Sequence, residues 1–571
     1  MRHRTITRWL TTVVVTCALV VGACGQGSGN GGTPEGTSPL LDGPVKNAEA
    51  ARFLTQATFG PSEADITALR TLGYRPWLDQ QMAAPSASHQ VYLDNRLAQL
   101  RLTQPTATLN ANNFYESFWL YSATGQAQLR ERMKLALSEI FVVSMLDANV
   151  DVRGAGAYYD MLGANAFGNF RTLLEQVTLH PMMGVYLTHL GNQREDPATG
   201  RNPDENYARE VLQLMTVGVN QLNIDGTIRT DGAGVPIPAY SQADISGLAR
   251  VLTGMSWYSP APSNNTFLGR NRDPDASVRP MVFYPVYHST SAKAFLGTTI
   301  PAGSTDTEAE LRIALDTIFN HPNVGPFIGR QLIQRLVTSN PSPAYVGRVA
   351  AVFNNNGAGV RGDLGAVVRA ILLDAEARDM TVVLSPTFGK VREPMIRLTN
   401  WMRAFGATSV SGAYLVNSTS ANTSLGQSAL AAPSVFNFYR PGYVPPNTRL
   451  GGANLTAPEF QIVDEVSVAG YANTIQGAIG NGIGTSADVR SAYAAEVALA
   501  GNPGVLADRM SFLLLYGQMS AMLRARIVES VTSVAIPGGT ATQAQIDAAR
   551  LNRVKLAVYL TMISPEYLVQ R

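Results

Sequence analysis

RERMKLALSEIFVVSM, residues 130 to 145, is the stretch on which the fold class turns. Apolar side chains recur at three and four through Met133, Ala136, Leu137, Ile140 and Phe141. That is the spacing of one helix face, not the strict alternation of a strand. Ala309 to Phe319 and Arg330 to Val337 carry the same period. Strand signals are sparse, the best being VNQLNIDGTIRTDGAGVPIPAY at 219 to 240, where Asp225-Gly226 and Asp231-Gly232 mark the turns of a small hairpin. It closes with Tyr240-Ser241-Gln242-Ala243-Asp244, a capping-box start for the next helix. The pattern predicts a mainly α-helical protein, a multi-helix globule of two or more packed lobes with one small β-hairpin and long loops. Two segments, 257 to 296 and 408 to about 460, lack any period and are rich in turn formers, as loops that bind or move are.

The N-terminal region carries an address. Arg2, Arg4 and Arg8 precede the apolar run LTTVVVTCALVVGA, too short for a comfortable membrane span, and small residues end it. Val21-Gly22-Ala23-Cys24 resembles the lipobox of bacterial lipoproteins, in which the cysteine becomes the lipid-bearing N-terminus after cleavage. No twin-arginine pair precedes the run, which favours export by the general route. The expected organisation is a lipoprotein signal peptide over 1–23, a Gly/Ser/Thr/Pro tether over 24–45 and a helical body over 46–571, its lobes dividing near 257–300. The chain has two cysteines, Cys17 and Cys24, so cleavage leaves one thiol, consumed by lipid. Disulfides, zinc-thiolate sites and cysteine nucleophiles are thereby excluded. Removing the three leader arginines leaves 41 basic residues against 42 acidic ones. Such a near-neutral exported chain has no electrostatic case for nucleic acid. The expected location is the outer or cytoplasmic membrane, facing the periplasm or the cell exterior.

RNPDENYAREV, residues 201 to 211, packs five ionised side chains around one tyrosine. With Asn202 as N-cap, Pro203 takes N1 and Glu205 takes N3, an Asx-type capping box. Tyr207, Ala208, Val211, Leu212, Leu214 and Met215 then share an apolar arc, while Glu205, Asn206, Arg209, Glu210 and Gln213 share a polar one. Glu205 and Arg209 are spaced to pair. Each residue thus has a structural role; if the polar arc lines a cleft, Glu205 or Glu210 serves as general acid or base oriented by Arg209. Asp196, Asp204 and Glu205 offer oxygens to calcium but lack the alternation of a calcium loop, and no metal is expected.

The blocks AARFLTQATFGPSEADI (50 to 66), AFGNFRTLLEQVTLHP (166 to 181), NPDENYAREVLQL (202 to 214), YSQADISGLARVLTGMSW (240 to 257) and YHSTSAKAFLG (287 to 297) follow in order. HPNVGPFIGRQLIQRLV (321 to 337), GKVREPMIRLTNWMRAFGA (389 to 407) and PSVFNFYRPGYVPP (433 to 446) continue them. Together they resemble the large bacterial domain-of-unknown-function family 1800, across nearly the whole chain after the tether. The resemblance implies an exported protein, often encoded beside the uncharacterised, phosphatase- or sulfatase-like 1501 group, hence a candidate partner. It carries over no catalytic residue. Many members show Trp-His-Asn-His where this chain has Leu137-Ser138-Glu139-Ile140, so those histidines support no metal role here.

Among five histidines outside the leader, His180 and His321 precede proline at helix breaks and read as caps. His288, in the loop beside Tyr284 and Tyr287, is the best single candidate for an acid/base histidine, a solvent-exposed loop histidine being the commoner outcome. No GxSxG elbow and no GxxxxGK[ST] loop occurs, and no cofactor is indicated. Trp257, Tyr287, Phe438, Tyr439, Arg440 and Tyr443 are candidate binding groups, their rings able to stack on sugar faces or a partner's surface. LEQVTLHPMMGVYL (174 to 187) and LDTIFNHPNVGPFI (315 to 328) form a faint internal echo. Two functions stand. One is a lipid-anchored binding or assembly protein for an envelope or extracellular polymer, such as a polysaccharide, or for a partner protein. The other is a hydrolase or lyase of a polymeric substrate using Glu205, Arg209, Glu210 and His288. The first is preferred, because no nucleophile–base–orienter set can be assembled from the sequence.

Overall fold

The helical period at 130–145 holds only as far as Ser138: the helix runs Gln128–Ser138, and Glu139 caps it. Val142 and Val143 follow outside any helix, where β-branched residues lose less side-chain freedom than within one. The structure is a computed structural model that describes residues 43–571. The leader, Cys24 and nearly all of the tether lie outside those residues. Among the described residues, 26 α-helices carry the fold and strands occur only as short antiparallel pairs. The mainly α expectation is met, and Leu41–Arg571 form one compact unit. No described helix is long and apolar enough to cross a membrane.

Local rules set most helix starts. Ser241 and Asp244 form the expected capping box, with Ser241 N–H donating to the carboxylate at 2.7 Å. The helices read at 309–319 and 330–337 run Thr307–Asn320 and Val324–Leu336. The His-Pro echo is also structural. His180 Nδ1 accepts from Met182 N–H and His321 Nδ1 from Asn323 N–H, each at 3.2 Å, so each ring closes the turn between two helices. The 219–240 segment folds as a meander of isolated bridges, Leu222 opposite Ile228 and Thr230 opposite Pro236. Its first turn uses Gly226 as expected, whereas the left-handed residue of the second is Gly234, not Gly232.

The loop expected at 257–296 contains order. Met255–Ser256 pairs with Val282–Phe283, and Lys293–Phe295 with Thr298–Ile300. Leu296 and Gly297 join the latter pair, both at positive φ, as a two-residue hairpin turn requires. This hairpin packs on the helix Gln242–Val251, and Gly247 makes the approach possible: a Cβ there would lie 1.9 Å from the Ala294 carbonyl oxygen. Elsewhere Lys390–Val391 pairs with Val569–Gln570, and Thr408–Ser409 with Val489–Arg490.

His89, His180 and His189 are buried, and burial holds their rings below the usual histidine range, His180 at about 3 and His189 at about 4. An unfolded chain protonates them near 6.5, so it binds more protons than the folded chain as pH falls below that value. Stability conferred by these neutral rings is therefore complete above pH 6.5 and lost toward pH 4, at up to about 1.4 kcal/mol per pH unit for each ring. Urea denaturation between pH 4 and 7 will show this slope, and His189→Gln will lessen it. Gly247→Ala will lower stability at neutral pH by about 1–3 kcal/mol or more, because backbone rather than a flexible side chain must yield.

Candidate functional site

The helix predicted to start after Asn202 begins instead at Asn206 and runs only to Glu210. A tertiary clamp overrides the cap. Asp204 N–H donates to Asn192 Oδ1 at 2.8 Å, and Asn192 Nδ2 donates to the Asp204 carbonyl at 3.1 Å. The Asp204 carboxylate then accepts from Asn206 N–H at 2.8 Å and from the Thr188 hydroxyl at 3.1 Å, taking over the capping role. Beyond Glu210 the backbone widens into a π-helix over Val211–Thr216, a form common near functional sites. Tyr207 is buried, stacked on His189 at 4.0 Å between ring centres.

Glu205 and Arg209 pair at 3.2 Å, as their spacing predicts. Glu205 also accepts from Gln242 Nε2 at 2.7 Å and the Ser246 hydroxyl at 2.6 Å. Glu210 leaves the polar arc and is buried; desolvation raises its pKa against the opposing pull of Arg209. His288 is 0% exposed, not a solvent-facing loop residue. Its Nδ1 meets the Thr253 carbonyl at 2.8 Å and its Nε2 meets Glu310 at 2.9 Å, while Lys293 Nζ pairs with Glu310 at 2.8 Å. Glu205 contacts Ser246 and His288 contacts Thr253, seven residues apart, roughly 10 Å along a helix axis. The structure therefore does not bring His288 to Glu205.

Beside the Asp204 clamp lies an open cleft of about 640 Å³, lined among others by Asn149, Thr188, Trp257, Phe267 and Arg272. Trp257 forms part of its floor. It is 5% exposed, and the Arg272 guanidinium lies 4.0 Å over its ring, so this tryptophan is not the free stacking platform that the sequence suggested. Tyr287, half-buried, stacks on Phe267 at 3.6 Å and holds that wall from behind. At the lip sits Thr188 at φ +63°, the only β-branched residue at positive φ among the described residues. Such a conformation costs on the order of 1–3 kcal/mol and persists where neighbours over-determine it. Here the over-determination is the hydrogen bond to Asp204. The volume falls within the range of small-ligand sites, and the lining mixes guanidinium, amide and hydroxyl with aromatic carbon.

The 433–446 loop plays a different part. Tyr439 is 3% exposed, and its hydroxyl donates to Glu139 Oε2 at 3.1 Å inside a buried charged cluster that the sequence did not reveal. Arg440 is exposed and lies 4.5 Å over the Phe436 ring; Phe438 and Tyr443 are half-buried. In the cluster, Glu139 meets Arg335 at 3.3 Å, and Lys390 meets Glu459 at 3.2 Å. Glu393 has Lys390 at 3.7 Å, Arg132 at 3.8 Å and a 2.8 Å hydrogen bond from Gln427. Burial and the neighbouring Glu393 push the Glu139 carboxyl well above the usual carboxylate range. Burial would raise Glu393 too, but Lys390, the hydrogen bond from Glu139, Arg132 and Gln427 outweigh it and hold Glu393 ionised. The two behave as a pair sharing one proton, carried by Glu139. One signal pointed here: Arg132 and Glu139 interrupt an apolar helix, and Lys390, Arg392 and Glu393 crowd the start of another.

The chain matches the family described as protein of unknown function DUF1800 over residues 52–569. It belongs to that family. No curated protein and no solved structure matches it.

The paired glutamates predict an asymmetry. Glu393→Gln removes the counter-charge of two buried cations and will destabilise the protein by about 3–5 kcal/mol. Glu139→Gln replaces a carboxyl already neutral and will change stability by about 1 kcal/mol or less at pH 5. The raised Glu139 carboxyl favours the folded state below its unfolded pKa and loses that contribution as pH rises through its folded value. The Glu139→Gln variant will therefore gain relative to wild type between pH 5 and pH 8, as denaturation midpoints will record.

Proposed function

We propose that the protein is an exported, lipid-anchored binding protein that holds a segment of envelope or extracellular polysaccharide in the cleft between Thr188 and Arg272. One observation carries this reading: a strained lip residue, pinned by Asp204, borders an open cleft in which an arginine is held over tryptophan. Arg272 Nε donates to the Gly269 carbonyl at 3.2 Å, which fixes the guanidinium and leaves its terminal nitrogens for ligand hydroxyls or carboxylates. Polymer binding needs no nucleophile, in keeping with Glu205 being held by Arg209, Gln242 and Ser246 and with His288 being enclosed by Thr253 and Glu310.

The test compares retention on exopolysaccharide and cell-wall preparations by wild type, Arg272→Ala, Asn149→Ala and Glu205→Gln. The two cleft variants will lose affinity about tenfold or more each, and Glu205→Gln will bind as wild type does. Loss of polymer mass with wild type, abolished in a well-folded Glu205→Gln, would replace this reading with hydrolase or lyase action. Cys24→Ser will shift the protein from the membrane fraction to the soluble one.

A further inference from the structure

Two apolar hollows meet at the segment Pro565–Val569. One, of about 440 Å³, is walled by Met380, Val383, Leu384 and Leu515; the other, of about 190 Å³, by Phe460, Ile462, Val463 and Val468. Pro565 and Val569 wall both, so the two form one apolar band. Its margins carry uncovered apolar side chains: Leu384 is 65% exposed, and Met522, two residues beyond the hollow-lining Ser520, is 77% exposed. A continuous apolar surface of this kind marks a contact with a partner or a membrane.

The place where the described chain begins selects between them. Residue 48 lies against the turn that walls the first hollow: a Cβ at Gly517 would stand 3.7 Å from Ala48. Arg52 Nε donates to the Arg571 carbonyl at 2.9 Å, and Arg571 N–H donates to the Tyr516 hydroxyl at 2.9 Å. The start of the body, the 515–520 turn and residues 565–571 thus lie on one side. Between Cys24 and Gly43 run 18 residues of Gly/Ser/Thr/Pro-rich chain. Sequences of that length and composition reach roughly 23 Å, so a lipid on Cys24 holds this side close to the bilayer at high effective concentration. A lipid chain gains much from a second contact of even modest affinity. Polar groups at the rim suit an interface: Glu566 accepts from Ser520 N–H at 2.9 Å and from the Ser520 hydroxyl, so its charge is held at the edge, and Arg571 is exposed.

We infer that the face bearing Leu384, Met522 and residues 565–569 seats on the bilayer interface. This inference rests on lipidation of Cys24. The test uses the full lipidated chain in phospholipid vesicles. Because the only thiol outside the leader is consumed by lipid, Leu384→Cys and Met522→Cys each accept one polarity-sensitive dye, with Leu102→Cys as an exposed reference on the helix His89–Thr103. Nitroxide-bearing lipids will quench the dyes at 384 and 522 at least about twofold more than the dye at 102. Equal quenching at all three sites in protein that floats with the vesicles would overturn the seating alone. A blue shift at 384 and 522 that depends on protein concentration and not on lipid would overturn it in favour of a second protein copy. Wild-type protein that does not float would overturn the lipidation and the seating together.

Discussion

Three carboxyl groups and three cations, sealed from water, tie this molecule together. Glu139, Glu393 and Glu459 face Arg132, Arg335 and Lys390, and together they come from four separate stretches of chain. Arg132 and Glu139 belong to the helix Gln128–Ser138 and its cap, and Arg335 to the helix Val324–Leu336. Lys390 lies in the strand paired with the chain end, and Glu459 in the segment that closes the long 408–460 loop. A buried ion set of this kind adds little net stability over well-packed apolar groups, but it tolerates few alternative arrangements. Its contribution here is to fix which segments meet. Backbone groups join in: Lys390 Nζ donates to the Arg335 carbonyl at 2.8 Å, and Arg335 Nη2 to the Glu139 carbonyl at 2.8 Å. The long loop is held by the same centre through Gln427, Tyr439 and Glu459, which is why a segment with no helical period is still ordered.

The cleft rests on a second polar junction. Asn192, Asp204 and Thr188 exchange hydrogen bonds through both side chain and backbone, and they determine where the following helix starts. The five charges of RNPDENYAREV are thus divided among unlike tasks, Arg201 donating to the Arg194 carbonyl. Asp204 holds the lip, Glu205 and Arg209 tie the short helix to the start of the next one, and Glu210 turns inward. A composition that looks catalytic on paper becomes the framing of a neighbouring hollow.

Much of the architecture was legible from period and capping, because both depend on neighbours close in sequence. The helices at 307–320 and 324–336, the Ser241 box and the two His-Pro turns follow from such local rules. What could not be read depends on partners far along the chain. Asn202 satisfies every local condition for a cap, yet Asn192 and Thr188 draw Asp204 into that duty. His288 has the neighbours of an exposed loop residue, yet Glu310 and Thr253 enclose it. Trp257 and Tyr439 are aromatic residues in turn-rich stretches, where surface and interior positions look alike until the contacts of Arg272 and Glu139 are known. The cleft itself has no sequence signature, since Thr188 and Arg272 are ordinary residues until the backbone angle of one and the stacking of the other are seen.

The bond between Arg52 and the Arg571 carbonyl spans 519 positions, and the strand at Lys390–Val391 waits for Val569–Gln570 in the same way. A ribosome delivers the first helix long before the residue that completes its polar contacts exists. Nascent chain must therefore remain incompletely closed until residues 569–571 have been made, with the guanidinium of Arg52 and the edge of that strand still unmatched. For a polypeptide built this way, assembly of the first helix waits on residues more than 500 positions later, and holding chaperones can act throughout that interval.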